Sequence, residues 1–224
     1  MSVELPELCC PWRFDQVADA IGLALQKAEA DLRLEQAVYG LDAMKEVPLQ
    51  TVLAEGLTAG GQCTVQREVH YPSQLGKKRP GRQRCDLVLT PPDRPLLEQE
   101  STDLFTPTNA CPPAEALWLE VKVAHQFAEG GRRHSGYGQQ WRQATVKDLQ
   151  KMEAEPQIQT AGLLLIVFTA DESVVAKDLE LFEDVLARKE VLAGFRQVRG
   201  VDLLERNGHT RATAALWPTV QRSA

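Results

Sequence analysis

Two short apolar runs of this chain carry charges where charge is expensive. One is Arg84-Cys85-Asp86-Leu87-Val88-Leu89, and the other is Leu117-Trp118-Leu119-Glu120-Val121-Lys122-Val123. Runs this rich in Val and Leu read as buried strands. A charged group on such a strand must pair with another or hold a metal. Side chains alternate along a strand, so Glu120 and Lys122 leave one face while Leu119, Val121 and Val123 point into a core. Asp86 and Glu120 converging beside Lys122 would make a divalent-cation site with a proton-handling amine next to it. Their oxygens, with the Val121 carbonyl as a further ligand, suit Mg²⁺, for which Mn²⁺ can substitute. Phosphodiester cleavage needs an activated water, a neutralised phosphate and a stabilised leaving oxygen, and such an ion can supply all of these. Lys122 would orient the water or stabilise charge on the phosphate.

The elements that must position these residues are legible from spacing. Apolar residues Val17, Ile21, Leu25, Ala28 and Leu32 predict a long amphipathic helix over 14–38. A second helix is expected over 41–58, with Pro48 in its first turn or at a kink, and Ala59-Gly60-Gly61 ending it. Strands are expected at 63–71, around Asp86, around Glu120, and at 161–169, the most apolar and therefore central one. Helices are predicted over 139–154 and 172–186, and Asn207-Gly208 reads as a two-residue hairpin turn near the C-terminus. Residues 90–113 are Pro-rich and aperiodic, a surface excursion between the two motif strands. The expected fold is α/β: a central mixed β-sheet flanked by helices, with an N-terminal helical extension and a C-terminal hairpin. One domain over 1–224 is expected, divided into an N-terminal helical segment (1–40), a catalytic core (41–170) and a C-terminal helix and hairpin (171–224).

An Asp on one apolar strand followed by Glu-x-Lys on the next, after a helix bearing Glu, resembles the PD-(D/E)XK nuclease superfamily. The resemblance spans about residues 41–169, and Cys85 stands where the eponymous Pro would be. It implies a restriction-endonuclease-like core and a metal-dependent nuclease acting on DNA. It also implies that Asp86 and Glu120 hold the metal and that Lys122 is the catalytic lysine. Many members add a Glu from the preceding helix in a Glu-x-x-Leu-Gln setting, which Glu46-Val47-Pro48-Leu49-Gln50 resembles. Glu55 is the competitor, but at about 100° per residue it falls on the opposite face from Glu46. It also points away from the stripe of Leu49, Val52, Leu53 and Leu57, so Glu46 is preferred. In the helix after Glu-x-Lys, members place polar groups near the phosphate, making Lys147, Asp148, Gln150 and Lys151 candidates. Asp148 falls within the apolar stripe of that helix, where pairing with an Arg or Lys is expected.

Charge is unevenly spread around a net value of −6. Lys77, Lys78, Arg79, Arg82 and Arg84 crowd the approach to Asp86 and are expected, with Lys147, to contact DNA backbone. Arg132, Arg133 and His134 follow soon after Lys122. The four histidines, His70, His125, His134 and His209, show no metal-ligand spacing and read as surface or packing residues. Five cysteines without repeated spacing argue for reduced thiols rather than a zinc ribbon or disulfide framework. With no apolar run long enough to span a bilayer and an acidic N-terminus lacking a signal-peptide n-region, a cytoplasmic protein is expected. A catalytically silent relative acting as a nucleic-acid-binding or assembly subunit is the alternative. A third reading is an interaction protein whose long N-terminal helix drives dimerisation. Homodimerisation also fits a nuclease, because cutting two strands is easiest with two sites.

Overall fold

The computed structural model describes residues 12–74, 83–97 and 108–219 of the chain. The expected contacts Lys77, Lys78, Arg79 and Arg82 lie outside the described residues.

Helix α1 (Phe14–Leu34) carries Val17, Ile21 and Leu25 on its buried stripe and ends short of the expected 38. A single 3₁₀ turn over Leu41–Ala43 leads to α2 (Glu46–Ala59). Pro48 occupies the first turn of α2, where its missing N–H costs no intrahelical bond, so Glu46 is itself the first helical residue. Strands β1 (Thr64–His70) and β2 (Arg84–Thr90) pair antiparallel, and β2 pairs antiparallel with β3 (Leu117–His125). Between β2 and β3, the described base of the excursion is pinned by a bridge between Leu96 and the buried Cys111.

After β3 the chain forms a small hairpin, β4 (Phe127–Ala128) with β5 (Arg132–Arg133). Helix α3 (Tyr137–Glu153) then crosses over to β6 (Thr160–Thr169), which runs parallel to β3, as a parallel pair requires. Helix α4 (Glu172–Arg188) is capped by Asp171, whose carboxylate accepts the Ser173 and Val174 amides. Strands β7 (Gln197–Asp202) and β8 (Arg211–Pro218) complete a six-stranded sheet of order β1-β2-β3-β6-β8-β7. The molecule is therefore an α/β fold with a central mixed sheet and helices on its faces. Among the described residues no helix is long and apolar enough to cross a membrane.

All ten residues of β6 are buried because both faces of the sheet are covered. Its odd-numbered residues Leu163, Leu165 and Val167 join Trp118, Trp141, Phe182 and Trp217 under α3 and α4. Its even-numbered residues Leu164, Ile166 and Phe168 join Ile21, Leu25, Leu49 and Leu53 under α1 and α2. Helix α1 is thus one wall of a core rather than an appendage. It approaches α2 closely at Gly56, where a Cβ would stand 2.2 Å from the Ala24 Cβ.

The β7–β8 connection is wider than the two-residue turn that Asn207-Gly208 suggested. His209 turns inward instead, buried with its Nδ1 2.9 Å from Asp42 Oδ2 and its Nε2 accepting the Phe127 amide. Satisfying that buried pair pulls the chain off the hairpin ladder after the Leu203–Thr210 bond.

Candidate active site

The β2–β3 ladder pairs Leu89, Val88 and Leu87 with Leu117, Trp118 and Leu119, and then stops. Asp86 is the next residue, and its side chain takes over where the backbone leaves off: Oδ2 accepts the Val121 amide at 2.7 Å. On the other side, β1 carries Glu68 opposite Asp86 with φ +55°, and this position is skipped in the β1–β2 register. A non-glycine residue in the left-handed region is strained unless its surroundings hold it there, and such residues cluster at functional sites. The strands part here and expose a carboxylate fixed at its base. Cys85, fully buried, donates its Sγ proton to Leu119 O across the same gap.

Lys122 reaches into this opening. Its Nζ donates to its neighbour's carbonyl, Val121 O, at 2.9 Å. It lies 3.5 Å from Asp148 Oδ2, 3.6 Å from Glu46 Oε1 and 3.7 Å from Asp86 Oδ2. Three elements besides its own therefore converge on one ammonium: the first turn of α2, the start of β2 and the inner face of α3. Burial disfavours the Lys122 charge, but Asp86, Asp148, Glu46 and Glu120 outweigh it and hold the pKa above its ordinary value. Glu46 is half-buried, and its carboxyl is raised first by burial and then by Asp86 and Asp148, against the pull of Lys122.

Glu120 lies deeper on the same sheet face. Its Oε1 accepts from Tyr71 Oη and from Lys151 Nζ, each at 2.5 Å. Tyr71, just past β1, stacks on Trp118 with ring centroids 5.7 Å apart, and Lys151 Nζ lies 4.9 Å from the Tyr71 ring. Burial, followed by the nearby Asp86, pushes the Glu120 carboxyl up to about 7, against the opposing pull of Lys151 and Tyr71. The Tyr71 phenol and Cys85 thiol are driven upward by burial and by Glu120, so both stay protonated.

The structure thus brings Asp86, Glu120, Lys122 and Glu46 together. Glu55 lines a separate groove between α1 and α2, away from Lys122. Lys147 is exposed on the flank of α3 beside Gln143, Gln150 and Lys189, not at the cluster. Arg84 is exposed at the start of β2. Asp148 has the expected basic partners, Lys122 and also Lys151 at 3.5 Å. Tyr71 was not anticipated, because only the fold brings it to a residue 49 positions away.

The donor chemistry suits a hard divalent cation. Four carboxylates (Asp86, Glu120, Glu46, Asp148) face two ammonium groups (Lys122, Lys151), leaving two negative charges when all are ionised. Asp148 Oδ2, 3.5 Å from Lys122 Nζ, is buried with no hydrogen-bond partner among the described residues, and there no hydrogen bond engages Asp86 Oδ1 or Glu120 Oε2. Among the described residues no three His, Cys, Asp or Glu side chains form a ready cage. Two protein carboxylates with water completing the shell is the coordination that Mg²⁺ favours, because it dehydrates reluctantly.

No protein-family model, curated protein or solved structure matches this chain significantly. The site's own geometry and chemistry must therefore carry the functional reading.

Proposed function

We propose that this protein is a metal-dependent nuclease of PD-(D/E)XK type that hydrolyses phosphodiester bonds in DNA, using Mg²⁺ or Mn²⁺. The observation that carries the reading is the Lys122 ammonium ringed by Asp86, Glu46 and Asp148 where β2 and β3 part. Asp86 and Glu120 are the metal-holding carboxylates, with the Val121 carbonyl beside them. The ion, when bound, would polarise the phosphoryl group and make its water more acidic.

Asp86 is oriented by the Val121 amide, which donates to Oδ2 and leaves Oδ1 for the ion. Glu120 is steadied by Tyr71 and Lys151, whose charge lowers the cost of keeping it ionised. Lys122 orients the attacking water or balances charge on the phosphate, and Glu46 and Asp148 hold its amine in place. The buried free thiols Cys63, Cys85 and Cys111 fit the reducing cytoplasm as the place of action. DNA is the proposed partner, and pairing of two copies would place two sites for double-strand cutting.

A second reading, a silent relative that binds or assembles, is favoured by one feature: Lys151 already neutralises Glu120 from within the chain. Incubation of plasmid and single-stranded DNA with Mg²⁺ or Mn²⁺ separates the two. Metal-dependent cleavage abolished in Lys122→Ala supports the nuclease. Cleavage that survives in Lys122→Ala rejects the mechanism, and metal-independent binding without cleavage supports the second reading.

A further inference from the structure

A groove leads away from Lys122. A cavity of about 260 Å³ is lined by Lys122, Tyr137 and Trp141, and it shares His125 and His134 as walls with a cavity of about 640 Å³. The larger cavity continues past Phe127 to Tyr39 at the turn before α2. Aromatic rings therefore line both cavities, from Tyr137 beside Lys122 in the smaller to Phe127 and Tyr39 in the larger. They are held by the fold rather than by each other alone: His125 stacks on Phe168 at 4.9 Å, and Phe127 packs on His209 at 5.3 Å. Tyr39 and His134 remain exposed.

The rim is cationic. The β4–β5 hairpin that carries Phe127 also carries Arg132 and Arg133, both exposed. Lys45 borders the larger cavity. Among the described residues none of these three forms an ion pair, in a chain whose net charge is −6. Glu129 also lines the cavity, while Asp42 is turned inward onto His209. Aromatic faces in sequence beside unpaired cations match a strand whose bases are unstacked from a partner and whose phosphates remain exposed. A duplex hides its base faces and offers this surface only its backbone.

From this juxtaposition we propose that the groove from Lys122 to Tyr39 binds single-stranded DNA, stacking the unpaired nucleotides on one side of the scissile phosphate. The proposal rests on the nuclease reading for the chemistry at its inner end. His134 and Tyr39 are the outer stacking residues, Phe127 is the central one, and Arg132 and Arg133 contact phosphates.

The test is fluorescence anisotropy of the full chain in EDTA, with a short labelled DNA strand and a duplex of the same sequence. The strand is expected to bind about ten-fold tighter than the duplex, the scale of one or two stacked bases. His134→Ala, which also gives up the Gly136 amide bond to Nδ1 at the start of α3, and Tyr39→Ala, both at exposed positions, are expected to weaken strand binding several-fold and leave duplex binding unchanged. Replacing Arg132 and Arg133 by Ala is expected to flatten the salt dependence of strand binding, by a slope of roughly 0.7 per lost phosphate contact. Equal or tighter duplex binding, or strand affinity unchanged in both aromatic variants, would overturn the proposal. Failure of the two readings is distinguishable. Aromatic-dependent strand binding without metal-dependent cleavage sinks the nuclease and keeps the groove, whereas metal-dependent cleavage of the single strand that is indifferent to both aromatic variants does the reverse.

Discussion

Asp86 and Val121 are joined across the end of the β2–β3 ladder by a side-chain bond where a backbone bond would otherwise stand, Oδ2 accepting the amide at 2.7 Å. One carboxylate therefore has two duties, closing the sheet and facing the opening beside Lys122. Asp86→Ala removes both, leaving an amide without its partner at a cost of about 1–3 kcal/mol. Asp86→Asn keeps an acceptor for Val121 and should lose less stability while losing the charge. Urea denaturation of the two variants checks this order, and equal losses would mean the bond carries no weight.

Glu120 gives a pH dependence of definite sign. Its carboxyl titrates near 7 in the folded chain against an ordinary 4.5, so the folded form holds the proton more tightly. Its stabilising contribution is complete below about 4.5 and is lost as pH rises through about 7, of the order of 3 kcal/mol over that span. Glu120→Gln should remove this slope. Thermal melts of both proteins between pH 5 and 8 in EDTA test it: the wild-type curve should fall relative to the variant's as pH rises.

Lys151 opposes the upward push on Glu120, so Lys151→Met should raise that carboxyl further and leave a buried charge unpaired at alkaline pH. The destabilisation should be about 3–5 kcal/mol well above neutrality and shrink toward acid. Tyr71→Phe removes a neutral donor and should act in the same direction more weakly. Paired urea titrations at two pH values read the difference.

The Lys122 ammonium stands among the carboxylates that would hold a cation and repels it. Lys122→Met should therefore bind Mn²⁺ several-fold more tightly than wild type while losing cleavage. Calorimetry and a plasmid assay on the same preparation decide, and weaker Mn²⁺ binding would show that the amine supports the metal site.

Helix α2 carries Glu46 and is seated against α1 at Gly56, where a Cβ would meet Ala24 at 2.2 Å. Intrinsic propensity favours Ala over Gly in a helix by about 1 kcal/mol. Overpacking should win, so that Gly56→Ala destabilises by about 1–3 kcal/mol. A gain in the urea midpoint would contradict that close approach.

Residues whose partners share a short stretch were the legible ones. Glu120 and Lys122 fall on one face by the two-residue period of a strand, and Asp148 betrayed itself as a charge within the apolar stripe of α3. Glu46 was separable from Glu55 by helical phase, although Pro48 obscured where the helix begins until its first-turn position was known. Tyr71 on Glu120 depends on β1 lying at the edge of the sheet, a long-range fact with no local trace. The same holds for the turn at Asn207-Gly208: its sequence favours a tight hairpin, and the buried pairing of His209 with the distant Asp42 overrides it. The small β4–β5 hairpin was hidden because two-residue strands leave no periodicity to read.

The most direct measurement is a Mn²⁺ titration of the protein and of Asp86→Asn, followed by calorimetry at pH 8, above the Glu120 titration. Saturable binding by the wild type that is lost in the variant is the expected result. Identical isotherms for the two proteins, or no heat from either, would contradict a cation site built on Asp86 and Glu120.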